Sequence, residues 1–262
     1  LDIVLLHPES KPRIYGNLAA LAALETPIWC CNLATFLRVH GHEVAIVDMA
    51  AENLTVEEAA KKINALKPRL TCAVVYSVQP SASTHNVTVA TEVLKQIDGL
   101  TAMVGGHVSA LPERTLKETG CHFVVIGEGA SQLLFWLEGQ RLANIPGVAY
   151  LDDGMYFATK PAPLLSHLDE SFPMPAWDLL DMRAYRAYNW LSFGHPSRQP
   201  YAAFYSSLGC PYTCHFCAVQ SPFYAGQSLN GSKANSYRRW SPKRVGETLE
   251  HLVAKYNIFH VR

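Results

Sequence analysis

Short unbroken apolar runs alternate along the first half of the chain with longer stretches in which apolar residues return every three or four positions. The runs are Asp2–Leu6, Glu43–Val47, Cys72–Tyr76, Thr101–Val104 and Phe123–Ile126. Continuous apolarity over four or five residues predicts strands buried on both faces. The stretches between predict helices. Thr26 is placed to cap one with Pro27 at its first position; Trp29, Leu33, Phe36 and Leu37 line its face, and Gly41 stops it. Thr55-Val-Glu-Glu58 reads as a capping box for a helix ending before Pro68. A third starts near Thr84, with Val87, Ala90, Val93, Leu94 and Ile97 on its buried side. Leu111–Lys117 and Ser131–Leu137 complete the set.

Five strand–helix repeats predict an α/β fold, a doubly wound parallel sheet covered on both faces, with the flavodoxin-like order 2-1-3-4-5. Such sheets bind ligands at the carboxyl ends of their strands, near the switch point. The segments there are His7-Pro-Glu9, Asp48-Met-Ala50, Ser77 to Ser83, Gly105 to Ser109 and Gly127-Glu-Gly129, rich in Gly, Ser and Pro. Glycine admits close approach to backbone. Gly105-Gly106 also reads as a tight turn, His107 as loop packing, and Glu128 as a cap for the next helix. His40 and His42 flank a helix stop and read as solvated.

After about residue 140 the pattern changes. Gly147–Leu151 and Met155–Thr159 around Asp152-Asp-Gly154 predict a β-hairpin. Prolines 161, 163, 173 and 175 mark a linker, and 176–188 reads as short helices packing between domains. Tyr201–Ser206 is a further predicted strand. Ser241 and Pro242 start a helix with Val245, Leu249, Leu252 and Val253 on its buried face, and Ile258–Val261 begins another strand. The division expected is 1–140, a connector 141–200, and 201–262.

Composition narrows the function. The chain is 49% hydrophobic and 17% charged, so it has a large core. Its formal net charge of zero favours no nucleic-acid or acidic partner. No apolar run is long enough to span a membrane. Of seven cysteines, Cys30, Cys31, Cys72 and Cys121 sit in apolar segments as small core residues. A disulfide framework is not expected, and a reducing cytoplasm fits.

The other three cysteines carry the chemistry, in Cys210-Pro-Tyr-Thr-Cys214-His-Phe-Cys217. Thiolates bind soft metals and iron–sulfur clusters. Three sulfurs are one short of closing a tetrahedral site or capping a cubane, so a [4Fe–4S] cluster held here would keep one open iron. A zinc loop completed by His215 or a distant histidine, and three buried thiols, are the alternatives that spacing leaves open.

The Cys-x3-Cys-x2-Cys spacing, Phe216 before the last cysteine, the strand ahead of it and the flanking Ser206–Gly209 and Tyr237–Pro242 resemble the radical S-adenosylmethionine (SAM) signature. The resemblance implies that Cys210, Cys214 and Cys217 hold a cluster whose open iron binds SAM, that Phe216 contacts the adenine, and that 201–262 starts a (β/α) partial barrel. It also implies an external electron donor of flavodoxin or ferredoxin type. With an α/β unit ahead of the loop, the whole chain resembles the N-terminal portion of the B12-dependent radical SAM enzymes. That likeness implies that cobalamin is held by Ser77, Gln79 and Ser81, by Gly105, Gly106 and His107, and by Gly127, Glu128 and Gly129. It implies a methyltransferase acting on an unactivated carbon or phosphorus of a small molecule or peptide, or a non-methylating cyclase or rearrangement enzyme. Asp48-Met-Ala-Ala-Glu52 lacks the histidine that cobalamin mutases use as lower cobalt ligand, which leaves that ligand undefined. Only one barrel unit and the start of another are present, so turnover by 1–262 alone is not expected. A zinc-bound interaction module is the non-enzyme alternative. Arg238 and Arg239 read as a solvated basic pair or as contacts to a cofactor carboxylate or phosphate.

Overall fold

The computed structural model describes residues 1–76, 82–188, 197–212, 214, 217, 219, 221–224 and 236–262. In chain order the first unit contains β1 (Ile3–His7), α1 (Lys11–Tyr15), a 3₁₀ turn (Gly16–Leu21), α2 (Ile28–Val39), β2 (Val44–Asp48), α3 (Val56–Leu66) and β3 (Leu70–Val74). It continues with α4 (Ala82–Leu94), β4 (Thr101–Val104), α5 (Gly106–Ala110), α6 (Pro112–Thr119), β5 (Phe123–Val125) and α7 (Ala130–Leu137). Then come β6 (Val148–Asp152), β7 (Met155–Ala158) and α8 (Leu168–Ser171).

The sheet order is β2-β1-β3-β4-β5-β6-β7. Its first five strands are parallel in the order expected. The hairpin β6–β7 is not a free connector: β6 pairs antiparallel with β5 and extends the sheet. Side chains alternate between two cores. Ile3 and Leu5 face α2 and α7, while Val4 and Leu6 face the α3 and α4 side, and all four are fully buried. Burial on both faces is why β1 is apolar from Ile3 to Leu6.

The strand limits differ from the sequence reading for local reasons. β1 and β2 each run one residue further, because His7 and Asp48 still pair in register after the apolar run ends. β3 starts two residues earlier, because polar Thr71 faces the core beside Thr101. Pro27, rather than Thr26, is the N-cap of α2. The Thr26 hydroxyl instead donates to the carbonyl of Ala203 (2.7 Å) and accepts its amide (3.1 Å), joining the first unit to the second. Residues 176–188 form only a 3₁₀ turn (Trp177–Leu179) and an isolated bridge from Arg186 to Leu24, with Trp177 and Tyr185 fully buried.

The second unit comprises β8 (Tyr201–Ala202), β9 (Ser207–Leu208), α9 (Ser221–Tyr224), β10 (Arg238–Arg239), α10 (Pro242–Tyr256) and β11 (His260–Val261). β8 and β11 are parallel and joined through α10, the opening βαβ crossover of a barrel. β9 and β10 form an antiparallel ribbon. Ser241 caps α10 by accepting the amide of Arg244 at 3.1 Å, as expected. The buried face of α10 is narrower than its pattern suggested: Thr248 and Leu252 are buried, while Leu249 and Val253 are exposed. No helix among the described residues is long and apolar enough to cross a membrane.

Candidate functional site

At the carboxyl ends of β1 and β3, where the strand order reverses, lies a cavity of about 180 Å³ lined by His7, Thr26, Trp29, Tyr76, His85 and Tyr205, among others. His7, in its lining, belongs to a buried polar relay. His7 Nδ1 lies 3.0 Å from Asp48 Oδ1, and Tyr185 donates its hydroxyl to Asp48 Oδ2 at 2.7 Å. The Ala50 and Ala51 amides also donate to Oδ1. Asp48 is only 1% exposed. Burial pushes its carboxyl up, but the charge and hydrogen bond of His7, the Tyr185 hydroxyl and the Ala51 amide together hold it below the usual range. Burial raises the Tyr185 phenol well above its ordinary value, and the Asp48 charge adds to this. Sequence reasoning missed this relay. The available signal was that two adjacent parallel strands end in register on a histidine and an aspartate.

Ser77, Gln79 and Ser81 lie outside the described residues. Ser83, two positions on, donates to the carbonyl of Val75 at 2.5 Å and accepts the amide of His107 at 3.0 Å. The first turn of α4 is thereby tied to Val75 and to α5. A side chain at Gly105 would lie 2.6 Å from Val75 Cγ2 and 2.8 Å from the Val75 carbonyl oxygen, so packing inside the protein demands glycine there. At Gly106 a Cβ would meet Ser83 at an ordinary 3.7 Å. The His107 ring bonds Thr84 at 3.1 Å, and burial, then Arg114, lowers its pKa.

The Gly127-Glu128-Gly129 turn is a junction. Tyr76 donates its hydroxyl to the Gly127 carbonyl at 2.6 Å, and Trp29 Nε1 donates to the Glu128 carbonyl at 3.0 Å. The Glu128 carboxylate is buried and does not cap α7. Its Oε2 accepts the Leu165 amide (2.8 Å) and Arg238 Nη1 (3.1 Å). Arg238 Nη2 lies 2.9 Å from Oε1, outside hydrogen-bond angles, so that contact is ionic. Arg238, its side chain 12% exposed, is thus a largely buried ion-pair partner, not half of a solvated pair. It also donates to the Ser236 and Leu165 carbonyls and lies 5.6 Å over the Phe223 ring.

The cysteine loop leaves from the ribbon that Arg238 anchors. Gly209, directly before Cys210, has φ +77°, and a Cβ on it would lie 2.3 Å from the Ser236 carbonyl oxygen. Gly209→Ala is therefore expected to destabilise the protein by at least about 2 kcal/mol, from left-handed strain and from separating β9 and β10. Chemical denaturation of the two proteins measures it; an unchanged midpoint would contradict the packing described. Cys210 is half-buried, Cys214 and Cys217 are exposed, and none of the seven cysteines forms a disulfide. The Cys217 amide donates to the Cys214 carbonyl at 3.1 Å. Among the described residues no three His, Cys, Asp or Glu side chains converge as a metal site. His215 and Phe216 lie outside the described residues. The donor set itself, three thiols on one eight-residue loop with two facing solvent, suits an iron–sulfur cluster. The four remaining thiols are buried in the core, as expected.

Residues 16–134 match the family model of the B12 binding domain. The chain is 32% identical to an uncharacterised methyltransferase of Pyrococcus horikoshii, over 98% of this chain and 52% of that protein. It is 26% identical to the anaerobic magnesium-protoporphyrin IX monomethyl ester cyclase of Rubrivivax gelatinosus, over 98% of this chain and 44% of that one. The chain thus spans about half the length of these relatives. Among solved structures it superposes on the radical SAM methyltransferase TsrM of Kitasatospora setae with a TM-score of 0.63 and 18% identity, over 97% of this chain and 46% of that one. On the cobalamin-dependent radical SAM enzyme OxsB the TM-score is 0.68 at 17% identity, over 99% of this chain and 33% of that one.

Proposed function

The chain carries a B12 binding domain in a fold that resembles B12-dependent radical SAM enzymes, and on that premise we propose that it is the cofactor-holding N-terminal portion of such an enzyme, a methyltransferase. One observation carries the reading: a three-cysteine loop follows the first strand of a barrel-type crossover and is anchored, through Arg238 and Glu128, to the carboxyl end of the B12-type sheet. The cofactors would supply a radical generator and a methyl carrier; the protein's part is placement and electrostatics.

Cys210, Cys214 and Cys217 would hold the cluster, with Phe216 beside the adenine of SAM. The switch-point crevice and the loops after β3, β4 and β5 would hold the corrinoid. The cavity volume of about 180 Å³ admits part of so large a cofactor, with the rest spread over the carboxyl-end surface. Trp29 packs with its ring centroid 4.4 Å from that of Tyr76 and 6.2 Å from that of Tyr205, and this aromatic cluster would help exclude water from a junction of the two sites. The substrate would be a small molecule or peptide, the electron donor a flavodoxin or ferredoxin type, and the compartment the cytoplasm, where thiolates stay reduced. The likeness to the magnesium-protoporphyrin cyclases favours a second reading, ring closure without methyl transfer.

The test uses electron paramagnetic resonance of the anaerobically reconstituted, reduced chain before and after adding SAM. A shifted cluster signal is expected, because SAM would occupy the open iron. An unaltered signal sinks the SAM assignment.

A further inference from the structure

A second cavity, of about 690 Å³, lies among α1, the 3₁₀ turn after it, the β2–α3 loop and the segment carrying Ala184 and Arg186. That is the size of a small-molecule site. Arg186 is pinned by its backbone to Leu24, its amide donating at 3.0 Å and its carbonyl accepting at 2.8 Å. Ala184 and Arg186 line the cavity, while Tyr185 between them reaches Asp48, as alternate side chains of an extended segment do.

The charges around this cavity are unevenly answered. Glu9 accepts the Lys11 amide at 2.6 Å and its ammonium at 3.1 Å. Glu92 takes the guanidinium of Arg13 at 2.6 Å, and Glu57, in the first turn of α3, adds its charge to the same arginine. Arg186 has no such answer. Among the described residues no carboxylate pairs with it, and its Nε is buried without a hydrogen-bond partner. Its neighbour in charge is another guanidinium, Arg198, which donates to the carbonyls of Ala187, Leu21 and Ala22 and to no carboxylate. Burial, and then the charge of Arg186, lowers the pKa of Arg198, as two cations without a counter-ion require. Folded proteins pair buried charges and satisfy buried donors, with a bound ion where no side chain serves.

We infer that this cavity binds a small anionic ligand, its carboxylate or phosphate group held by Arg186, with Arg198 adding positive potential. A guanidinium suits either group, since both accept two parallel hydrogen bonds. The inference does not depend on the cofactor reading above.

The experiment is calorimetric titration of the full chain, in buffer free of both groups, with inorganic phosphate and separately with succinate. Saturable one-to-one binding of at least one probe is expected, and whichever binds names the group. Arg186→Gln keeps the backbone bridge and the stem, and should weaken that binding at least about tenfold. Lys243→Gln removes the same charge from a side chain 86% exposed on α10 and should leave it unchanged. Heat that never saturates with either probe means an adventitious ion only and overturns the inference, as does equal affinity in Arg186→Gln. A second measurement needs no variant: phenylglyoxal labelling of Arg186 in unmutated protein, read by peptide mass spectrometry, should fall when the bound probe is present, while labelling of exposed Arg114 should not. Arg186 labelled equally with and without the probe also overturns it.

Discussion

Alanine at Cys210, Cys214 or Cys217, one at a time, is expected to take anaerobically reconstituted protein from about four iron atoms per chain to about one or none. A cubane held at three corners by one loop loses its seat when one corner is removed. The fold should survive. Cys214 and Cys217 are exposed, and surface substitutions shift stability by only about 0.5 kcal/mol. The core thiols supply the control. Ligation requires thiolate; burial pushes the Cys121 thiol up to about 11 and the Cys30 and Cys31 thiols well above their ordinary value. Cys121→Ala should therefore keep its iron. Iron assay alongside thermal unfolding checks both points. Equal iron in all the variants would remove the loop from consideration as a cluster site.

Arg238→Ala is expected to cost about 3–5 kcal/mol, because it strands the buried Glu128 carboxylate. The guanidinium also satisfies the carbonyls of Ser236 and Leu165, so lysine, with a single point charge, should recover only part of the loss. Glu128→Ala should be comparably destabilising, and the double variant less so than the sum, since neither charge is then left alone. Denaturant midpoints of the four proteins close the cycle. The same variants loosen the ribbon bearing Gly209 and Cys210 from the B12-type sheet. A coupling energy near zero would mean that the pair does not join the two units.

The parallel sheet was legible because its strands are buried on both faces, and two-sided burial writes an unbroken apolar run. Its β3 limit was not, because Thr71 is polar yet fully buried. α1 and the 3₁₀ turn escaped notice because Ile14, Tyr15, Leu18 and Leu21 are exposed at 42–65%, so no buried face sets a helical period. α5 was hidden by its two opening glycines, which read as a loop until Gly105 is seen pressed against Val75. The cysteine loop was legible as a spacing, since one short segment supplies all three thiols. Glu128–Arg238 and His7–Asp48 were not: their members lie 110 and 41 residues apart, and each pair exists only once the sheet and the ribbon have formed.

The most direct measurement is elemental analysis, with the visible spectrum, of the chain after anaerobic reconstitution with iron, sulfide and hydroxocobalamin and removal of unbound cofactor. The account predicts about four irons per chain, bound cobalt, and corrinoid bands superposed on broad iron–sulfur absorbance. Zinc without iron or cobalt would contradict it and leave the three cysteines as the core of a metal-bound interaction module.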